Sequence, residues 1–263
     1  MTEQTEKILS RKEGGTWWLI YNQPEKKNAI SLDMSMKVVE VLDAFAQDAT
    51  ARVMVVMGAA GTFISGADIS EFESRRNDAA AAAKYAEISN RMFSAMREVE
   101  KPTIAMVEGF CFGGGVALAA CCDMRIAADD ALFSIPAAKL GLGYRVDFTQ
   151  MLVDLMGPSF TREMLYTGKR FSAQEAAAMG LVNRVLPKAE LEKFVRDYAK
   201  TISENAPLSV RTSKAVVGEC LKDNAQRDLD KCERLIDGCS NSEDYKNARR
   251  AFMEKKKPVF VGR

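Results

Sequence analysis

No histidine occurs among the 263 residues of this chain. That absence removes Ser–His–Asp and Cys–His triads and most zinc and iron sites. Acid–base chemistry must then come from Asp, Glu, Tyr, Lys or Cys. The six cysteines (Cys111, Cys121, Cys122, Cys220, Cys232, Cys239) contain no CxxC pair, so they read as small buried apolar residues rather than as a metal or redox motif. The residues that remain conspicuous are glycines. In GFCFGGGVALAACCD, residues 109–123, Gly113, Gly114 and Gly115 stand between an apolar run and a helix. A strand–glycine–helix junction exposes the unpaired N–H groups and positive dipole end of the helix, and glycine lets a ligand oxygen approach them. The three glycines could hold a phosphate or a developing oxyanion; they could equally serve only to pack the helix tightly on a sheet. An oxyanion calls for a second donor. The loop GTFISGADI offers one at Ala67, between Gly66 and Asp68, although an ordinary turn capped by Asp68 accounts for the same residues. Nucleotide versions fail on detail: GxxxxGK[ST] is absent, and GLGYRV at 141–146 has only two glycines of a dinucleotide fingerprint.

The elements that must position these residues follow from periodicity. Thr16–Tyr21 (TWWLIY) reads as a strand, as do 53–57, Thr103–Val107, 124–127 and 181–186. Residues 31–47 read as a helix presenting Met34, Val38, Val41, Leu42 and Phe45, and 189–204 as one presenting Leu191, Val195, Tyr198 and Ile202. Ser172 and Glu175 have capping-box spacing, with Gly180 at the helix end. Residues 71–93 are alanine-rich with few anchoring apolar groups at their start, which predicts a helix with a mobile leading part. From Pro207 onward the chain is helical and charged. Alternating strands and helices make the class α/β. With 47% hydrophobic residues the chain can bury a sizeable core, and 37 Lys+Arg against 36 Asp+Glu give no basic excess for nucleic acid. No apolar run approaches the ~20 residues of a membrane span, and the polar start lacks a signal-peptide core. A cytoplasmic protein is expected.

Four stretches, GTFISGADISEF, GFCFGGGVALAACCDMRIAADDALFSIPAAKLGLGY, MLYTGKRFSAQEAAAMGLVNRVLP and FMEKKKPVFVGR, together resemble the crotonase (enoyl-CoA hydratase/isomerase) superfamily over about residues 14 to 263. The resemblance implies a crotonase-like spiral of ββα units over residues 1–200. It also implies a helical C-terminal region, 201–263, that builds trimers or dimers of trimers. The N–H groups of Ala67 and Gly114, flanked by Gly66 and Gly113, would form the oxyanion hole for an acyl-CoA thioester. Coenzyme A enters as part of the substrate and no other cofactor is implied. NQPEKKNA would set Lys26, Lys27 and Ala29 beside the nucleotide, and GADI would set Asp68 and Ile69 near pantetheine and adenine. In EKKKPVF, Lys257 and Phe260 would reach adenine and phosphates, often on a neighbouring subunit; a solvated basic tail is the alternative.

The resemblance breaks at the acid–base residues. Hydratases of the family carry one glutamate two residues past the glycines and another just after F-x-x-P, where this chain has Ala117 and Ala137. Losing such a group typically costs ~10²–10⁴-fold, so lyase or decarboxylase-type chemistry is expected in preference to hydration. Tyr144 could supply a proton or hydrogen bond there. The pairing of LGxxY with an SEDY…EKKKPVFVG ending is similar to the family's methylmalonyl-CoA decarboxylases, which carry a histidine where this chain has Ala67. Arg145 could grip a substrate carboxylate. Asp147 could serve an isomerase as a single acid, but its spacing to Gln150 also fits a capping box. Glu71 and Glu73 could swing over the acyl group or sit solvated in a first helical turn, and Glu108 stands further off. A non-catalytic acyl-CoA binder is the expectation from another class.

Overall fold

The structure, a computed structural model, describes residues 6–71 and 79–263. Strands β1 (Ile8–Glu13) and β2 (Thr16–Tyr21) form an antiparallel hairpin that begins a six-stranded sheet. Strands β3 (Val53–Gly58), β4 (Thr103–Val107), β6 (Met124–Ala128) and β9 (Arg184–Leu186) continue it in parallel, in the order β1-β2-β3-β4-β6-β9. A second sheet joins β5 (Phe110–Phe112), β7 (Leu132–Ser134) and β8 (Phe171–Ser172) in the order β5-β7-β8. Strands β3 and β4 are apolar without alternation because both faces of the sheet are covered.

Helix α1 (Leu32–Gln47) starts where Ser31 Oγ accepts the Met34 N–H at 3.2 Å, and it buries Met34, Val38, Val41, Leu42 and Phe45 as its period requires. With α2 (Ala79–Glu98), α3 (Gly114–Cys121), α4 (Val146–Thr167) and α5 (Ala173–Ala178) it covers one side of the large sheet. The capping box of Ser172 and Glu175 is formed, and Gly180 follows α5 with φ 91°. Helix α6 (Lys188–Ser203) covers the other side, against Trp18, Val53, Val55, Ile104 and Met106. Three further helices, α7 (Pro207–Cys220), α8 (Leu229–Asn241) and α9 (Glu243–Met253), form the C-terminal region.

Several elements differ from the sequence expectations. In α6 the buried stripe is Leu191, Val195 and Ala199, while Tyr198 faces outward. A three-four spacing fits both sets, and the small Ala199 lets the helix sit closer to the sheet. The strand expected at 181–186 is confined to Arg184–Leu186, since Leu181 and Val182 are buried as a connection. Strand β1 carries no alternation signal because it is an edge strand on which Ile8 alone is buried. The leading part of the helix expected at 71–93, with Glu73, lies outside the described residues.

Candidate active site

Two segments that could bear donors leave the carboxyl ends of adjacent parallel strands, where open α/β sheets bind ligands. β3 runs into 59–68, and β4 runs through β5 into the glycines. The first segment is tied down by Asn28, fully buried with φ 55°. Its amide donates to the carbonyls of Thr62 at 2.6 Å and Ala59 at 3.0 Å, while its oxygen accepts the Gln23 N–H at 2.9 Å. Further along, the Ile30 N–H donates to the Gly66 carbonyl at 2.8 Å and the Asp68 N–H to the Ile30 carbonyl at 2.9 Å. In such a parallel bridge the intervening residue turns its N–H to the opposite side. Among the described residues the Ala67 N–H has no acceptor.

The three glycines answer to different constraints. A Cβ on Gly115 would lie 2.5 Å from the Ile64 carbonyl oxygen, so this position exists to pack α3 on 62–66. Gly113 is the N-cap of α3 with φ 51°, a conformation that L side chains rarely adopt. Gly114 is neither strained nor crowded: a Cβ there would lie 3.7 Å from Ile30 Cδ1 and 3.8 Å from the Ala67 nitrogen. Its N–H opens α3 and has no acceptor within the helix. The fold thus sets the free donors of Ala67 and Gly114 side by side. Gly66, with φ 124°, makes the turn that presents the first.

Lys26 donates to Asp68 Oδ2 at 2.7 Å and to Ser70 Oγ at 2.8 Å, tying the Pro24–Lys26 turn to the Ile69–Glu71 turn. Asp68 Oδ1 accepts the Ser70 N–H at 3.1 Å, so Asp68 also caps its own turn. Burial disfavours the charged form of Asp68, but the Lys26 ammonium and the Ser70 donors outweigh it and hold the carboxyl below its ordinary value. Lys27 sets its ammonium 4.7 Å from the Phe110 ring centre. Ala29 is buried beneath this turn, and Ile69 is exposed. Lys257 pairs instead with Glu204 at 2.6 Å, and the Phe260 carbonyl accepts from Arg52 at 3.4 Å. Arg52 precedes β3, so the length of that strand, about 20 Å, separates these tail residues from the donors. Within one chain they are not brought to the site.

The loop after the Pro136–Leu140 turn carries Tyr144, whose ring packs 6.0 Å from that of Phe148. Its hydroxyl is buried and has no hydrogen-bond partner among the described residues. Burial pushes the phenol well above its ordinary pKa, and the Cys121 thiol, the Cys111 thiol and Asp147 add to the effect. It is therefore a neutral donor at physiological pH. Burial also pushes Cys121 up to about 12 and Cys111 far above its usual range, so neither is a thiolate. Ala117, buried on α3, and Ala137, half-buried on the 136–140 turn, present only methyl groups.

Asp147 does not cap a helix, contrary to the capping-box spacing. Helix α4 starts two residues earlier than that spacing supposes, with Arg145 as its N-cap, and Gln150 bonds Asp154 instead. Arg145 and Asp147 hold each other: Nε to Oδ1 and Nη2 to Oδ2 are both 3.0 Å. This bidentate contact keeps Asp147 below its ordinary pKa and occupies the guanidinium. The described residues contain no group of three or more Cys, Asp or Glu able to hold a metal ion. Asn28 and Ile30 were missed by sequence reasoning; an asparagine closing a turn, able to adopt φ > 0, was the available signal for the first.

Comparison with known proteins identifies the fold and the family. The enoyl-CoA hydratase/isomerase family model matches residues 12–263. The chain is 33% identical over 259 residues to the crotonyl-CoA hydratase of Syntrophomonas wolfei, covering 98% of this chain and 99% of that protein. It is 34% identical over 212 residues to the hydroxycinnamoyl-CoA hydratase-lyase of Pseudomonas fluorescens, covering 79% and 76%. Among solved structures, an enoyl-CoA hydratase from Bacillus anthracis superposes with a TM-score of 0.92 at 28% identity over 98% of this chain and all of that one. An enoyl-CoA hydratase/carnithine racemase from Magnetospirillum magneticum gives 0.90 at 32%, over 98% and 96%. A strand-borne loop and a glycine-started helix that converge two free N–H groups are thus set in a fold shared along its whole length, and the chain belongs to the enoyl-CoA hydratase/isomerase family of the crotonase superfamily.

Proposed function

We propose that this family member binds an acyl-CoA thioester with its carbonyl oxygen between the N–H groups of Ala67 and Gly114, and stabilises an enolate there. Fixed donors in a water-poor site act on developing charge, and losing one costs about 3–4 kcal/mol in comparable holes. The reaction is of the lyase or decarboxylase type, assisted by Tyr144, rather than hydration by paired carboxylates. The observation that carries this is the buried Tyr144 hydroxyl, unpartnered among the described residues, in surroundings of methyls, neutral thiols and rings. A 2-carboxyacyl thioester placed there would bury its carboxylate without a cation, since Arg145 is committed to Asp147. Such burial is costly. Breaking the bond between Cα and the carboxylate relieves it: CO₂ departs, the electron pair passes into the enolate, and a proton returns to Cα from the phenol side. No general base is required.

Isomerisation by Asp147 alone is the second reading; its pairing with Arg145 weakens it as a base. Lys26, Lys27, Ala29, Asp68 and Ile69 are proposed to line the CoA path. Lys257 and Phe260 would act on a neighbouring subunit's CoA, consistent with their distance from the donors of their own chain. Self-association as a trimer or dimer of trimers is supported by apolar side chains left exposed on the C-terminal helices, among them Val217, Leu229, Ile236 and Phe252.

The test is mass spectrometry of 2-enoyl, 3-enoyl and 2-carboxyacyl thioesters incubated with the protein in heavy water. Loss of CO₂ from a carboxylated member is expected, with kcat falling about 10²-fold or more in Tyr144→Phe. Addition of water to a 2-enoyl member would overturn the reading. A panel bound but wholly unchanged would favour a non-catalytic acyl-CoA binder.

A further inference from the structure

Glu71 closes the short helical turn Ile69–Glu71, where it is half-buried and its side chain is engaged rather than free. Its Oε2 accepts the Leu32 N–H at 2.9 Å. Leu32 is the first residue of α1, where N–H groups lack intrahelical partners and the dipole favours a carboxylate. This bond closes a ring of chain around Ala67. The Ile30 N–H bonds the Gly66 carbonyl at 2.8 Å, the Asp68 N–H bonds the Ile30 carbonyl at 2.9 Å, and the Glu71 N–H bonds the Asp68 carbonyl at 3.1 Å. Ile30 is also the neighbour of Gly114, its Cδ1 lying 3.7 Å from where a Cβ of that glycine would be. Both free donors are therefore referenced to one stretch, residues 30–32, and Glu71 anchors the far end of the 66–71 turn to it.

We infer that Glu71 is a positioning residue, which fixes the Ala67 N–H relative to that of Gly114 by fastening the 66–71 turn to the start of α1. A donor displaced by about 1 Å can cost about 10²-fold in rate, so this anchor bears on turnover while standing away from the reacting atoms. The inference rests on the oxyanion-hole reading above, and the experiment separates the two.

The readout is the carbonyl stretching frequency of butyryl-CoA, ¹³C-labelled at the thioester carbon and bound to the full-length protein. In the wild type, two donors on the oxygen lower the frequency relative to butyryl-CoA in water. Glu71→Ala should lose much of that shift. With a substrate the wild type turns over, it should also lose about 10–100-fold in kcat, with KM little changed. Glu71→Gln keeps an acceptor for the Leu32 N–H and should recover most of both. A full shift and wild-type kcat in Glu71→Ala would overturn the inference alone. A glutamine variant as slow as the alanine one would overturn it too, in favour of direct action by the carboxylate. A wild type with no shift would sink the oxyanion-hole reading and the inference with it.

Discussion

The three consecutive glycines look interchangeable in sequence and are not. Gly115 is pressed against the Ile64 carbonyl, a backbone atom that cannot give way, whereas a Cβ on Gly114 would make only ordinary van der Waals contacts, at 3.7 Å from Ile30 Cδ1 and 3.8 Å from the Ala67 nitrogen. Gly115→Ala should lower the unfolding midpoint, by about 1–3 kcal/mol in stability, measurable in urea. Gly114→Ala should unfold at nearly the wild-type midpoint while turnover falls about tenfold or more, because its methyl intrudes on the position proposed for the thioester oxygen. Equal midpoints for the two variants would contradict this assignment. The distinction was not legible in the GGG motif, because clearance depends on the 62–66 segment, which lies about 50 residues earlier in the chain.

At the scale of elements, the donor-bearing turn is held by charge as well as by main-chain bonds. Asp68 has its carboxyl pKa depressed in the folded protein, mainly by Lys26 and Ser70 acting against burial. A depressed carboxyl contributes stability above its unfolded value, about 3.9, and loses it as pH falls through the folded value. The difference in thermal midpoint between wild type and Asp68→Asn should be present at pH 6, shrink below about pH 4, and vanish in stronger acid. A difference that grew on acidification would contradict the ion pair. The opposite end of α3 is held by a different device. The buried Arg125 guanidinium donates to the carbonyls of Leu181 at 2.6 Å, Cys122 at 2.7 Å and Ala119 at 3.2 Å. A helix of eight residues is thereby fixed at its carbonyl end while its amide end stays free for a ligand.

For the whole molecule, the compact sheet layers contrast with the C-terminal helices. There Val217, Leu221, Leu229 and Ile236 remain exposed, together with Phe252 and Met253, each more than 80% exposed. These exposed apolar side chains support the association face proposed above. Sedimentation equilibrium should therefore give a mass of three or six chains, and Leu229→Asp combined with Ile236→Asp should dissociate the assembly while leaving the sheet's unfolding transition in place. A wild-type monomer at micromolar concentration would overturn the proposal. The described residues include no helix long and apolar enough to cross a membrane.

What the sequence determined by itself was whatever depends on neighbours along the chain. Periodicity fixed α1 and its buried face, a lack of alternation marked β3 and β4 as doubly covered, and Ser172 with Glu175 announced a helix start. The order of short motifs carried the family, and the alanines at 117 and 137 were plain to read. Tertiary structure decided what depends on residues distant in sequence. It joined Asn28 to 59–62, brought Ala67 to Gly114, bound Glu71 to Leu32, and left the Tyr144 hydroxyl without a partner among the described residues. It also locked Asp147 to Arg145, two residues away, because only the onset of α4 settles which of them caps it. Periodicity states which face is apolar; a hydrogen bond's direction and a hydroxyl's lack of one exist only when the partners have met.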